Sequence, residues 1–274
     1  MIIKQKIINN IMKVNGLPNL GNTCYFNSTI QSLVLNKNII SLILSINEDF
    51  ELKDFIKNYH QGIIKMELLF EMIRKENKNF RITRQQDASE LLIMILDMIE
   101  KKTNKIMFSG YFGINIKQGI ICTNCKNVSN SNSQNNLLFL PIKDTLEESI
   151  INFEELDFLK EDNKYHCDIC KDKYIGIKKN KIDLNNLPLN VGIVIKRFEN
   201  MRKDNRKIKV PLEIKNRKLK SIIIHYGSLN GGHYINITRM NNLWLLLNDS
   251  HREIIDENKA LEMIKDGYIF WYSL

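Results

Sequence analysis

Two Cys-x-x-Cys pairs, Cys122/Cys125 and Cys167/Cys170, restrict this 274-residue chain more than any other feature. Two thiols spaced this way reach one ion, and two such pairs complete a tetrahedral four-sulfur site. Such a site has no position left for water, so the bound ion is expected to be structural Zn2+. It ties together two segments far apart in sequence. His166, beside Cys167, is read as a bystander; the plainer alternative for the four cysteines is a set of free buried thiols. The fifth cysteine, Cys24, stands alone. Paired thiols plus one separate thiol suit a reducing compartment, cytosol or nucleus, better than a disulfide framework.

The chain falls into three textures. From Gly16 to about Lys105 the pattern is helical: Phe26, Ile30, Leu33 and Val34 follow Cys24 at helical spacing, with Asn22-Thr23 as a capping-type pair. A second helix is expected from about Gln86 to Glu100, with Ala88, Leu91, Leu92, Ile95, Leu96 and Ile99 on one face. From about Gly110 short β-like pieces surround the cysteine pairs, and the Ser/Asn-rich segment Asn127–Asn136 reads as a mobile loop tip. From Leu189 onward VGIVIKRF, IKVPLEI, LKSIIIHY, HYINITR and LWLLLND read as strands, followed by a short helix near Asp256–Lys265 and a last strand, YIFWY. The fold class is therefore α+β.

The net charge of +9 is spread along the chain as a general lysine bias, so no nucleic-acid partner is expected. The N-terminus holds no apolar stretch of signal-peptide length, and windows such as Ile39–Ile46 and Leu91–Leu96 are too short to span a bilayer, so no membrane association is expected.

Cys24 at a helix start would gain thiolate character from the helix dipole and unpaired N–H groups, which also aim donors at an oxyanion; the alternative is a buried structural cysteine. His233, in Gly231-Gly232-His233-Tyr234, is the candidate base, with His225 as a rival that spacing does not remove. Two glycines there let another chain pass close to the backbone. Asn248-Asp249 offers an oxygen to accept the His233 Nδ1–H, or forms a simple Asn-Asp-Ser turn. Asn19, five residues before Cys24, can donate to an oxyanion. Asp87 and Glu90, three apart on the second helix, are either first-turn acids favoured by the dipole or a docking site for a basic peptide.

The segment GLPNLGNTCYFNSTIQSL (16–33) closely resembles the Cys box of the ubiquitin-specific protease family. Further blocks resemble the same family in the right order: QQDASELL (85–92), VIKRF (194–198), HYGSLNGGHYINITRMNNLWLLLND (225–249) and GYIFWY (267–272). The resemblance implies a papain-like cysteine protease core, with helical thumb and β-rich palm, and a zinc-ribbon fingers insertion at about 110–185 that grips ubiquitin. It implies a lead-in over residues 1–15 and a catalytic domain over 16–274. By motif position it makes Cys24 the nucleophile, His233 the base, Asn248 the third member, Asp249 the acid that follows it and Asn19 the oxyanion residue. His225 matches a family histidine that is not the base. Asp87 and Glu90 would meet the basic ubiquitin tail, and Gly231 and Gly232 would line the channel for its last glycines. Leu91 stands where the family usually has Phe, and the fingers and loops are short. The implied activity is hydrolysis after the C-terminal glycine of ubiquitin by a monomer. An inactive ubiquitin-binding relative and a protease for a ubiquitin-like modifier are the alternatives.

Overall fold

Apolar residues three and four apart wind the first part of the chain into helices: α1 (Cys24–Val34), α2 (Lys37–Ser45), α3 (Glu51–His60), α4 (Met66–Glu76), α5 (Ala88–Lys101) and α6 (Lys105–Phe112). The computed structural model describes residues 14–274 apart from Asn200 and Asn230, so residues 1–13 of the expected lead-in lie outside the described residues. Side-chain oxygens of Asn36, Asp87 and Asn104 accept from backbone N–H groups at the starts of α2, α5 and α6. Helix α1 differs: Thr23 has no capping hydrogen bond to it, because its hydroxyl accepts from Leu20 N–H at 2.9 Å. The expected capping pair is thus not one. Every residue of α1 is buried, including Asn27, Ser28, Thr29, Gln31 and Ser32.

The middle of the chain supplies β1 (Ile114–Cys122), β2 (Val128–Asn135), β3 (Leu138–Pro141), α7 (Leu146–Glu154), β4 (Leu156–Leu159), β5 (Tyr165–Cys167), β6 (Asp172–Tyr174) and β7 (Gly176–Ile182). A four-stranded sheet runs β2-β1-β7-β4, and β5-β6 form a separate hairpin. The Ser/Asn-rich segment is therefore strand, not a loop tip. It pairs with β1 in unbroken register from Ile121↔Val128 to Ile114↔Asn135. Ladder hydrogen bonds come from the backbone and ask nothing of the side chains, and polar side chains suit an edge strand that must not recruit another chain.

The last part forms β8 (Asn190–Lys196), the small pair β9 (Phe198–Glu199) and β10 (Arg202–Lys203), then β11 (Glu213–Ile214), β12 (Arg217–Ser228), β13 (Gly231–Met240), β14 (Leu243–Asn248), β15 (His251–Ile255), α8 (Glu257–Ile264) and β16 (Gly267–Ser273). The large sheet runs β15-β14-β13-β12-β16-β8-β3, with β11 beside β12. One face, with Val194, Ile223, Leu245, Leu247, Ile269 and Trp271, packs on the helices. The opposite side chains, among them Ile222, Ile224, Ile237, Leu246, Phe270 and Tyr272, share a second core that includes Leu146 of α7 and Ala260 and Ile264 of α8. Both faces are covered, so β8 and β16 read as continuous apolar runs. Of the expected strand IKVPLEI only Glu213–Ile214 forms a strand, beside an isolated parallel bridge of Lys209 with Thr145. Pro211 lacks a ladder donor, and its carbonyl instead accepts from the Tyr272 hydroxyl at 2.8 Å.

Candidate active site

Helix α1 lies against β13, which brings its first residue to the end of the large sheet that carries His233. The Cys24 side chain is 2% exposed. It lies beside His233, whose Nε2 is 2.6 Å from Asn248 Oδ1. The ring nitrogen that meets Asn248 is thus Nε2, not the Nδ1 of the sequence expectation. β13 carries His233 and the neighbouring strand β14 ends in Asn248, which brings the two side chains together. The interaction with Cys24 does most to raise the His233 pKa, to about 9; partial burial opposes it, while Asn248 and the nearby charges of Cys24 and Asp249 support it.

His225, the rival base of the sequence reading, lies buried among aromatic rings. His225 is 6% exposed, lies 4.5 Å from the Tyr234 ring and 5.3 Å from Phe198, ring centre to ring centre, and its Nδ1 has no partner among the described residues. Burial first, then the charges of Lys203 and His233, lower its pKa to about 4. Its ring also explains Gly232, where a Cβ would stand 2.3 Å from His225 Nε2 and 2.2 Å from the Tyr226 carbonyl. The close approach comes from the adjacent strand of the same sheet; Gly231 faces open space.

Asp249 turns from β14 into β15 with φ 50°, a left-handed conformation Asp tolerates. Its carboxylate accepts from Asn19 Nδ2 at 2.9 Å and from Asn27 Nδ2 at 2.7 Å. Asn19 Oδ1 accepts from Gly21 N–H at 3.0 Å and Thr23 N–H at 3.1 Å. Cys24, His233 and Asn248 thus form one chain of contacts, and Asn19, Asp249 and Asn27 a second beside it.

Asp87 is the N-cap of α5, not a member of its first turn. Its carboxylate accepts from Ser89 N–H at 2.6 Å and from the Tyr268 hydroxyl at 2.9 Å. Glu90 is exposed in the first turn, its pKa raised by partial burial and then by Asp87. Just before this cap, Gln85 pairs with both backbone groups of Gly232: Nε2 donates to the carbonyl at 2.6 Å, and Oε1 accepts from the N–H at 3.1 Å.

The sequence pattern of the ubiquitin carboxyl-terminal hydrolase family matches residues 15–272. The chain belongs to the ubiquitin carboxyl-terminal hydrolase family. Among curated members, ubiquitin carboxyl-terminal hydrolase 20 of Arabidopsis thaliana is 28% identical over 94% of this chain and 43% of that protein. Ubiquitin carboxyl-terminal hydrolase 12 of Salmo salar is 26% identical over 94% of this chain and 89% of that protein. The chain thus spans less than half of the first relative and most of the second. Among solved structures, the SAGA DUB module of Ubp8, Sgf11, Sus1 and Sgf73 bound to monoubiquitin matches with a TM-score of 0.79 and 25% identity, over 95% of this chain and 69% of that chain. The same module bound to ubiquitin aldehyde matches with a TM-score of 0.78 at 25% identity, over the same shares.

In this member of the hydrolase family the Cys-x-x-Cys pairs do converge. The sulfurs of Cys122, Cys125, Cys167 and Cys170 all lie within 4.8 Å of one another, and none is in a disulfide. The two turns are alike: Lys126 and Lys171, each just after its second cysteine, take φ 61° and 56° and donate to the Cys122 and Cys167 carbonyls at 2.9 and 2.8 Å. His166 is exposed and outside this group, which can hold a metal ion. Reading the sequence did not single out Asn27, Gln85 or Tyr268. Asn27 had a signal: it is a polar residue three after Cys24 in a helix otherwise rich in buried positions. Tyr268 had none, since its partner Asp87 is distant in sequence.

Proposed function

We propose that the chain is a thiol-dependent deubiquitinase that hydrolyses the bond after the C-terminal glycine of ubiquitin. The observation that carries this is His233 held between Cys24 and the Asn248 side chain. Cys24 is the nucleophile and His233 takes its proton. With its pKa raised to about 9, His233 keeps that proton at neutral pH for delivery to the leaving amine. Asn248 fixes the ring's orientation. Asn19 and the uncapped N–H groups at the start of α1 stabilise the oxyanion, and water then releases the acyl group. Asp87 and Glu90 face the arginine-bearing tail, and Gly231 and Gly232 line the path of its terminal glycines. The Ubp8 module, with the same fold, binds ubiquitin and ubiquitin aldehyde, which supports ubiquitin as the partner here.

The metal is zinc. A tetrahedral zinc with sulfurs at about 2.3 Å has sulfur–sulfur edges of roughly 3.8 Å. The Cys122–Cys170 and Cys125–Cys167 separations of 3.9 and 3.6 Å fit that edge. Residues 16–274 act as a monomeric catalytic domain, with fingers at about 110–185, in the cytosol or nucleus.

The test is incubation with ubiquitin bearing a C-terminal electrophile, alongside Cys24→Ala. A covalent adduct at Cys24, absent from Cys24→Ala, is expected, while Cys24→Ala still binds ubiquitin and shows no hydrolysis of a ubiquitin-amide reporter. Wild-type hydrolysis by Cys24→Ala would overturn the nucleophile; labelling only by a ubiquitin-like modifier would redirect the substrate.

A further inference from the structure

Asn27 is 1% exposed, three residues after Cys24 on α1. Its NH2 donates to Asp249 Oδ1 at 2.7 Å and to the carbonyls of Leu17 and Pro18 at 3.1 and 3.3 Å. Its own Oδ1 is buried with no hydrogen-bond partner among the described residues. That arrangement sets which way the amide points: turned over, an oxygen would face a carboxylate and two carbonyls. A buried amide oxygen without a partner is costly, so the donor is kept here against a cost. Leu17 is gripped on both sides, its carbonyl by Asn27 and its N–H by the Asp249 carbonyl at 2.9 Å.

The other Asp249 oxygen accepts from Asn19 Nδ2 at 2.9 Å, and the Asn19 oxygen is bound by two backbone N–H groups. The His233 ring hydrogen-bonds Asn248 through Nε2 and lies beside Cys24, and no hydrogen bond links it to Asp249 among the described residues. The Asp249 carboxylate is thus spent on the asparagines. An amide nitrogen carries two hydrogens; with one held by Asp249, the second Asn19 N–H is left in a set direction.

We infer that Asn27 is a positioning residue for acyl transfer: through Asp249 and the Leu17–Pro18 backbone it orients the Asn19 amide that donates to the oxyanion. This rests on the reading of Asn19 given under the proposed function. Asn27 touches neither substrate nor the reacting atoms in this scheme, and acts wholly through Asp249 and Asn19.

The experiment compares Asn27→Ala, Asn27→Asp, Asn19→Ala and the double variant Asn19→Ala/Asn27→Ala in the full chain. One readout is kcat and KM on a ubiquitin-amide reporter. The other is the rate of Cys24 alkylation by iodoacetamide, a displacement that forms no oxyanion. Asn27→Ala is expected to lower kcat by about 10- to 100-fold, within what loss of an oxyanion donor costs. KM and the alkylation rate stay at the wild-type values, and the loss does not add to that of Asn19→Ala. Asn27→Asp sets two carboxylates together. Its deficit relative to wild type shrinks as pH falls toward the carboxylate range, where a shared proton restores a donor. Alkylation falling in step with kcat would mean that Asn27 only packs the nucleophile's helix, and unchanged kcat or additive losses would equally overturn the inference. If the Asn27 variants do not fold, Asp249→Asn, which keeps the shape and loses one of the two acceptors, takes the same comparison. Asn19→Ala with wild-type kcat would sink the oxyanion reading of Asn19 itself; impaired Asn19→Ala beside intact Asn27→Ala would remove Asn27 alone.

Discussion

Two histidines eight residues apart in sequence are pushed to opposite protonation states by their surroundings. His233 gains partners for its charged form and rises to about 9; His225 is lowered to about 4 by burial and then by the charges of Lys203 and His233. The sign for His233 follows: its proton is held throughout the neutral range and lost as pH rises through about 9. Hydrolysis that needs this proton should show an alkaline limb near that value, and Asn248→Ala, by removing a supporting hydrogen bond, should move the limb to lower pH. A kcat/KM profile against pH checks this; an unmoved limb would mean that Asn248 does not act on the ring. For His225 the sign is opposite. Between its folded value of about 4 and the ordinary value of 6.5, the unfolded chain binds a proton that the folded chain refuses. Its contribution to stability is present above 6.5 and is lost as pH falls toward 4. Urea midpoints at pH 7 and pH 5 should drop less in His225→Gln than in the wild type, and His225→Gln should retain far more activity than His233→Ala.

At the scale of elements, the start of α5 joins thumb and palm. Asp87 caps the helix and takes the hydroxyl of Tyr268 from β16, and Tyr268 also reaches Ser89 Oγ at 3.0 Å. Losing an N-cap of this kind costs about 1 kcal/mol, so Asp87→Ala should lower the unfolding free energy by at least that much. Glu90 caps nothing and is exposed. Glu90→Lys should leave stability near wild type but raise KM for intact ubiquitin far more than for a short glycine-ended peptide without arginines. Equal changes on both substrates would leave Glu90 with a helix-dipole role only. At the other end of α5, Asn136, just beyond the edge strand β2, donates to Glu100 at 3.3 Å, so the fingers also touch the thumb.

For the whole molecule, the cysteine cluster and the Cys24 centre belong to separate sheets, the first at the turns that join β1 to β2 and β5 to β6, the second at the end of the large sheet. A metal ion held there should therefore stabilise one region without tuning the other. One zinc per chain is expected by metal analysis of the purified protein. Cys125→Ser should lose the metal, lower the unfolding midpoint and weaken ubiquitin binding, while Cys24 reacts with a small alkylating agent at the wild-type rate. Normal ubiquitin binding by a zinc-free chain with four further alkylatable thiols would show that the cysteines serve only as turn residues.

Helical spacing around Cys24 and along Ala88–Ile99, the alternating and continuous apolar strands of the last third, and the two Cys-x-x-Cys pairs were all legible in the sequence, because each depends on residues close together in the chain. Cys24, His233 and Asn248 were legible for a related reason: each stands within a contiguous motif. What only the tertiary structure decided depends on partners brought from far away. The meeting of His233 Nε2 with Asn248 depends on β13 and β14 being neighbours in the large sheet. The Asp249 carboxylate goes to Asn19 and Asn27 because the turn after β14 lands beside the start of α1. Asp87 is half spent on Tyr268, a contact no local pattern encodes. The Ser/Asn-rich segment became strand β2 because β1 offered it a backbone edge, and backbone hydrogen bonds leave no trace in side-chain composition.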